Sequence, residues 1–386
     1  MKNIRFACAT ATAGVLAATA AHAQSSVTLY GLIDAGIMYT NNVASGNSQG
    51  GLVQATTGAV NGSRFGVRGA EDLGGGLKAL FVLENGFNAE NGKLGQDGRL
   101  FGRFAYVGLS DNRFGTLTIG RQYDSLVDFV APLSATAGTF GDASFAHPFD
   151  NDNLNHSLRI NNAIKYTSNT YAGFKFGGMY AMSNSTDFAT NRAYSFGVSY
   201  TRGPLNVAAG YLQINGSKGT TAGSPGAVDI VESAANGKGG FSLGADRMRS
   251  YGGGLNYAFG PATVGFVYTR AEYENTASFG STGGTVRFDN YELNGKYQLT
   301  PAFSIGGAYT YTDGHVDNTV KYGSDPKWHQ VDLQAVYRLS LRTDVYLEGM
   351  YQHASGRNYV AMINTAGGAS STGNQVVAAV GLRTRF

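Results

Sequence analysis

Arginine recurs in this sequence at a spacing that sets it opposite aromatic and branched residues. Arg64 and Arg68 alternate with Phe65 and Val67, Arg103 alternates with Phe104 and Tyr106, and Arg383 and Arg385 oppose Val376, Ala378, Val380, Leu382 and Phe386. A guanidinium stays protonated at physiological pH, so its chemistry is electrostatic: it attracts and orients anions through planar, forked hydrogen bonds. Residues suited to covalent work are scarce. The stretch G-F-S-L-G (240–244) has the form of a nucleophile elbow, which requires a strand, a strained turn and then a helix. Ser242 instead ends a Gly/Ser-rich run with no helical periodicity after it. His147, His156, His315, His329 and His353 lack an H-x-x-x-H spacing or cysteine partners and read as surface or loop residues. No nucleophile, base and orienter converge, and neither a metal set nor a cofactor motif is written, so an enzyme is not indicated.

The elements that must hold these arginines are strands. Fifty-six glycines, 23 tyrosines and 22 phenylalanines stand against seven prolines, a composition poor in helix formers and rich in strand and turn formers. Residues 1–23 are set apart. Lys2 and Arg5 precede an Ala-rich apolar stretch ending in Ala21-His22-Ala23, the pattern of a cleaved secretory signal peptide, too short and too Ala/Thr-rich for a membrane anchor. The only cysteine, Cys8, lies inside that segment, so a mature chain from residue 24 has no thiol chemistry. Removing Lys2 and Arg5 from the 29 basic residues leaves them nearly balanced by the 26 acidic ones, which gives no footprint for nucleic acid. No linker divides 24–386, which reads as one domain.

Period-two alternation predicts sixteen strands, near 26–40, 62–71, 76–88, 101–109, 115–121, 159–169, 173–183 and 191–202, then 204–214, 246–258, 262–273, 285–299, 301–313, 327–340, 342–353 and 373–386. Tight connections such as D-L-G-G-G (72–76) and F-G-P (259–261) strictly alternate with long polar ones at 41–61, 89–100, 122–158, 184–190, 215–245, 274–284, 314–326 and 354–372. In a meander that alternation gathers all short turns at one end, as in outer-membrane barrels. An even count brings the last strand back beside the first. The faces differ: Phe303, Ile305, Tyr309 and Tyr311 share one parity, and Ser304, Gly306, Ala308 and Thr310 the other. Tyrosines near the ends of the apolar face match interfacial girdles, and hydrocarbon tolerates no unpaired strand edge, so the expectation is a closed transmembrane antiparallel β-barrel. Sixteen strands leave a water-filled interior. A charge on the lipid face costs about 2–4 kcal/mol at mid-membrane, which turns Arg64, Arg68 and Arg103 inward. Arg121 shares parity with Leu117 and Ile119 and faces inward only where its strand bulges or ends; Glu84 has the inward parity of Lys78.

Several stretches, in order, carry a likeness: Q-S-S-V-T-L-Y-G-L-I-D (24–34), S-R-F-G-V-R-G-A-E-D-L-G-G-G-L-K-A (63–79), F-G-R-F-A-Y-V-G-L-S (101–110), F-G-T-L-T-I-G-R-Q-Y-D (114–124), R-I-N-N-A-I-K-Y (159–166) and V-G-L-R-T-R-F (380–386). Over its whole mature length the chain resembles the Gram-negative general porins, in their β-proteobacterial (Burkholderia and Neisseria) branch. The resemblance implies a homotrimer of sixteen-stranded barrels in outer-membrane lipid that passes ions and small hydrophilic solutes. It also implies a third long loop, here 122–158, folded into the pore opposite an arginine cluster. At the matching motif positions stand Arg64, Arg103 and Arg159, with Arg68 and Arg121 as further basic candidates. Glu84, Asp124, Asp128 and Asp142 are the acidic candidates. Enteric relatives carry Pro-Glu-Phe-Gly where this chain has Thr139-Phe140-Gly141; the missing acid points to weak anion selectivity. Phe386 matches the signal read by the barrel-assembly machinery. A substrate-specific porin and an adhesin acting through its loops remain as alternatives.

Overall fold

The computed structural model describes residues 26–45, 48–137, 140–141, 143–186, 188–216 and 245–386. Residues 1–23, expected as a signal peptide, and Ser242 and Asp142 lie outside them. Strands β1 (Ser26–Ser45), β2 (Ser48–Thr57), β3 (Arg64–Gly74), β4 (Leu77–Gly86), β5 (Phe104–Asp111), β6 (Gly115–Gln122), β7 (Ile160–Thr167) and β8 (Phe174–Ala181) lead into β9 (Ala193–Arg202), β10 (Leu205–Asn215) and β11 (Arg247–Phe259). The series ends with β12 (Ala262–Thr276), β13 (Gly284–Gln298), β14 (Phe303–Val316), β15 (Lys327–Arg338), β16 (Thr343–Ser355) and β17 (Asn374–Arg385).

These strands occupy sixteen positions of one closed antiparallel sheet. β1 pairs over residues 26–32 with β3 and, from Ala35 on, with β2, so β2 and β3 are two pieces of the second wall position. Between them residues 58–63 leave the wall and turn inward: Ala59 and Val60 have almost no solvent contact, and Asn61 N donates to Asp34 Oδ2 at 2.7 Å. Closure comes from β17 against β1, in register from Leu32 opposite Arg385 to Thr40 opposite Val377. Gly31 and Phe386 exchange both backbone hydrogen bonds at 3.1 Å.

Each predicted strand has its counterpart, and one predicted loop needs correction. Residues 41–61 are not wholly a loop: β1 runs on to Ser45, and β2 returns beside it. Only Val53 and Ala55 carry the outward apolar signal amid Gly, Gln and Thr, so periodicity is weak there although the backbone ladder is complete. The turn at 74–76 needs its glycines, whose φ values of +85°, +63° and +88° are disfavoured for other residues.

The faces divide as the alternation requires. Leu333 and Leu347 are each 60 % exposed and stand outward, where hydrocarbon is the compatible solvent. Rings line both ends of that band. At the long-loop end Tyr194, Tyr211 and Tyr251 stack at 6.2 and 6.3 Å, and Tyr268, Tyr291 and Tyr311 continue the row at 5.1 and 6.1 Å. At the short-turn end Tyr257 meets Phe259 and Phe303 meets Tyr337.

The connection between β6 and β7 bonds side chains that the pleat turns inward. It opens with a short helix, α1 (Ser125–Phe129), capped by Asp124, whose Oδ1 accepts from Leu126 N at 2.8 Å and Val127 N at 3.1 Å. Glycines let α1 lie against the wall: a Cβ on Gly197 of β9 would come within 2.4 Å of the Phe129 ring, and one on Gly210 of β10 within 3.0 Å of Leu126. Farther along, Ala135 N donates to Glu292 of β13 at 2.8 Å, Asn294 to the Leu133 carbonyl at 3.0 Å, and Ala143 N to the Val60 carbonyl at 3.0 Å.

Candidate pore constriction

Three of the predicted arginines converge where β3, β5 and β7 face the start of that connection. Arg103 Nε lies 2.6 Å from Glu84 Oε1, with both side chains nearly buried. Its Nη2 donates to the Tyr123 hydroxyl at 2.8 Å. Tyr30 donates to the second Glu84 oxygen at 2.9 Å. Arg159 lies over the Tyr123 ring at 5.8 Å, and His156 stacks on the same ring, with centroids 4.7 Å apart and planes 5° from parallel. Arg64, half-buried, points to the Gly62 carbonyl at 3.4 Å. The convergence is visible in His156 itself. Burial first, then the positive charges of Arg159, Arg103 and Arg64, hold its imidazole well below the usual histidine range, and it stays neutral.

The other candidates are placed elsewhere. Arg68 is exposed and sits over the Tyr30 ring at 5.2 Å, two same-face positions along β3 from Arg64. Arg121 keeps the parity of Leu117 and Ile119, and pairing with β7 is interrupted beside it, between Gly120 and Gln122. Its Nε donates to the Gly102 carbonyl at 2.8 Å and its Nη1 reaches Asn161, so it braces the wall. Glu84 neutralises Arg103 instead of opposing it across water. Asp124 is the buried cap of α1, also accepting from Asn153 at 2.7 Å; burial, its largest influence, pushes its carboxyl up to about 6. Asp128 pairs with Lys165 Nζ at 2.6 Å.

Sequence reasoning missed a buried network that ties the connection to the far wall. His147 and His156, expected as surface or loop residues, both lie on the connection but are buried. His147 Nδ1 is 2.7 Å from Asp152 Oδ2 and its Nε2 is 3.0 Å from Glu292 Oε2, with no appreciable solvent contact for any of the three. Burial opposes the imidazolium, but the two carboxylates outweigh it and push the group up to about 10. Asp152 also accepts from Thr269, and Asn151 from Asn290 at 2.8 Å. The available signal was the run His147-Pro-Phe-Asp-Asn-Asp, dense in polar residues yet flanked by Phe145 and Leu154. Among the described residues no His/Asp/Glu group is arranged to hold a metal ion.

Comparison with known proteins agrees in fold and sequence. The family described as Gram-negative porin matches residues 9–357. An outer membrane porin protein of Bordetella pertussis is 33 % identical over 374 residues, covering 86 % of this chain and 90 % of that one. Outer membrane porin protein 32 of Delftia acidovorans is 30 % identical over 385 residues, covering 96 % and 97 %. The solved anion-selective porin from Comamonas acidovorans superposes with a TM-score of 0.70 at 24 % identity, covering 94 % of this chain and all of the other. A closed barrel with an apolar exterior and a polar interior, matched in sequence over nearly its whole length, settles the kinship: the chain belongs to the Gram-negative porins, outer-membrane channels for passive diffusion.

Proposed function

We propose that this porin conducts small hydrophilic solutes with a weak preference for anions, through a constriction between Arg64, Arg103 and Arg159 and the inward-folded connection 123–159. One observation carries the reading. Among the described residues, the connection's acids are engaged away from these arginines: Asp124 in the α1 cap, Asp128 with Lys165, Asp150 with backbone N–H groups, and Asp152 with His147. Excess positive charge lining a narrow, water-filled passage raises the local anion concentration. The anion selectivity stated for the Comamonas porin is consistent with this assignment. The working form is a homotrimer seated in outer-membrane lipid, matured by loss of residues 1–23, with Phe386 as the signal for barrel assembly.

The test is the zero-current potential of the purified protein in a planar bilayer under a tenfold potassium chloride gradient. The expected sign is that of chloride preference, weakened by Arg64→Gln and by Arg159→Gln, with conductance steps arriving in threes. A potassium preference in the unaltered protein would overturn the proposal. Saturable transport of one solute at low concentration would favour a substrate-specific porin, and inserted but silent protein an adhesin.

A further inference from the structure

A second basic site lies inside the barrel, away from the Arg64 cluster. A cavity of about 450 Å³ opens between the tip of the inward-folded connection, at Phe140 and Gly141, and the wall from β13 to β17 near the short-turn end. Among the described residues that border it are four cations, Lys296, Arg338, Arg383 and Arg385, and one carboxylate, Asp344.

The register explains how they meet. Arg338 stands opposite Asp344 and Asp344 opposite Arg383, so one hydrogen-bonded row carries all three inward. Arg385 lies on the neighbouring row, which passes through Leu32 to Arg64. Two strand spacings, roughly 10 Å, separate Arg385 from Arg64. Because strands in a barrel tilt, such a row climbs as it crosses the wall. The basic residues therefore form a ramp from the short-turn mouth toward the Arg64 cluster.

Asp344 fixes part of this set. It lies 3.1 Å from Arg383 Nη2 and 2.8 Å from Arg385 Nη1, and Arg383 also donates to Asn61. Asp34, next on the row, is turned to Asn61 N at 2.7 Å and the Tyr346 hydroxyl at 2.6 Å. Arg385 remains 41 % exposed. Arg338 is exposed, and it forms no ion pair among the described residues. One carboxylate thus holds two guanidiniums in place while the lining keeps a positive excess. Ser304, Gln334 and Ser340 border the same space.

We infer that this cavity is a second anion-binding station, on the short-turn side of the constriction, taking small dianions that carry carboxylate or phosphate groups. A dianion offers two or more oxygens to Arg338 and Arg385 together, which a chloride ion cannot. This inference rests on the proposed anion preference.

The probe is inorganic phosphate, added in mildly alkaline buffer at constant chloride during single-channel recording. Phosphate lowers the chloride current saturably in the unaltered channel. Arg338→Gln, at a side chain that forms no ion pair among the described residues, and Arg385→Gln each raise the half-blocking concentration about fivefold, the size of one partly solvated charge contact. Heat-modifiable migration in detergent gels verifies that each variant is folded. Absence of saturable block, or the same half-blocking concentration in both folded variants, overturns the station while chloride preference in a salt gradient persists. Potassium preference in the unaltered channel removes the anion reading itself.

Discussion

Replacing His147 by leucine deletes the cation from between two buried carboxylates. The imidazole reaches Asp152 at 2.7 Å and Glu292 at 3.0 Å, and each of these charge-assisted hydrogen bonds is worth about 1.5–3 kcal/mol. Neither acid is stripped, because Asp152 keeps Thr269 and Leu154 N, and Glu292 keeps Ala135 N and Asn294. The cost therefore falls near the lower end of the range for breaking a buried pair, about 3 kcal/mol. It is a local cost, since the strand ladders do not depend on this histidine. A weakening of about 3 kcal/mol multiplies local opening by roughly a hundredfold. The assay is hydrogen exchange read by mass spectrometry on peptides spanning 131–155, in parallel with open-channel current noise. Exchange speeds up there by about two orders of magnitude, noise rises, and the detergent unfolding temperature of the barrel barely moves. His147→Gln, which keeps a hydrogen bond but no charge, falls between. Exchange within about threefold of the unaltered protein, with unchanged noise, would refute the anchoring role.

The same network sets a pH dependence. The His147 pKa is raised from 6.5 to about 10, so its contribution is complete below pH 6.5 and vanishes as pH rises through about 10; noise that stays flat across that window would count against it. Burial, joined by the charge of Asp152, pushes Asp150 up to about 7. A raised carboxyl favours the folded connection when protonated, so that support declines from about pH 4 to pH 7, and noise should be lowest in mild acid. Gly306→Ala puts a Cβ 2.0 Å from the Phe140 ring, so the ring must turn aside or the connection's tip must shift, and the expected result is a changed single-channel conductance; unaltered conductance would count against a narrowing role for the tip. Glu84→Gln removes the 2.6 Å partner of Arg103, and the expected result is stronger chloride preference with a lower unfolding temperature, read from zero-current potential and detergent gels.

The barrel was legible because its signal is repeated and local. Leu293, Tyr309, Leu333 and Val380 each share an outward parity with their neighbours, and the register across each short turn, as between β13 and β14, follows from a connection that admits few geometries. β2 was not legible because its outward side chains are few and small. Parity turned Arg64 and Arg103 inward, whereas Arg159 was expected from the family motif alone. The partners of the connection could not be assigned, since His147 meets Glu292 and Asn151 meets Asn290 across well over a hundred residues. The acids of the connection looked like free pore charges for the same reason: a carboxylate's partner is a property of the closed barrel and not of its neighbours in sequence. Arg121 was ambiguous because a bulge changes direction without changing composition.

The inward detour at 58–63 interrupts the second wall position and gives the Val60 carbonyl to Ala143 N and the Asn61 amide to the Gly141 carbonyl. The connection that we propose narrows the passage is thus clamped at its tip to a segment continuous with the shell, and is not a plug hung from one hinge. A shell that flattens or tilts drags that segment with it, so bore follows cross-section. Conductance should consequently vary with the thickness of the surrounding bilayer, and a series of lipids of increasing acyl length is the gauge that reads this mechanical coupling.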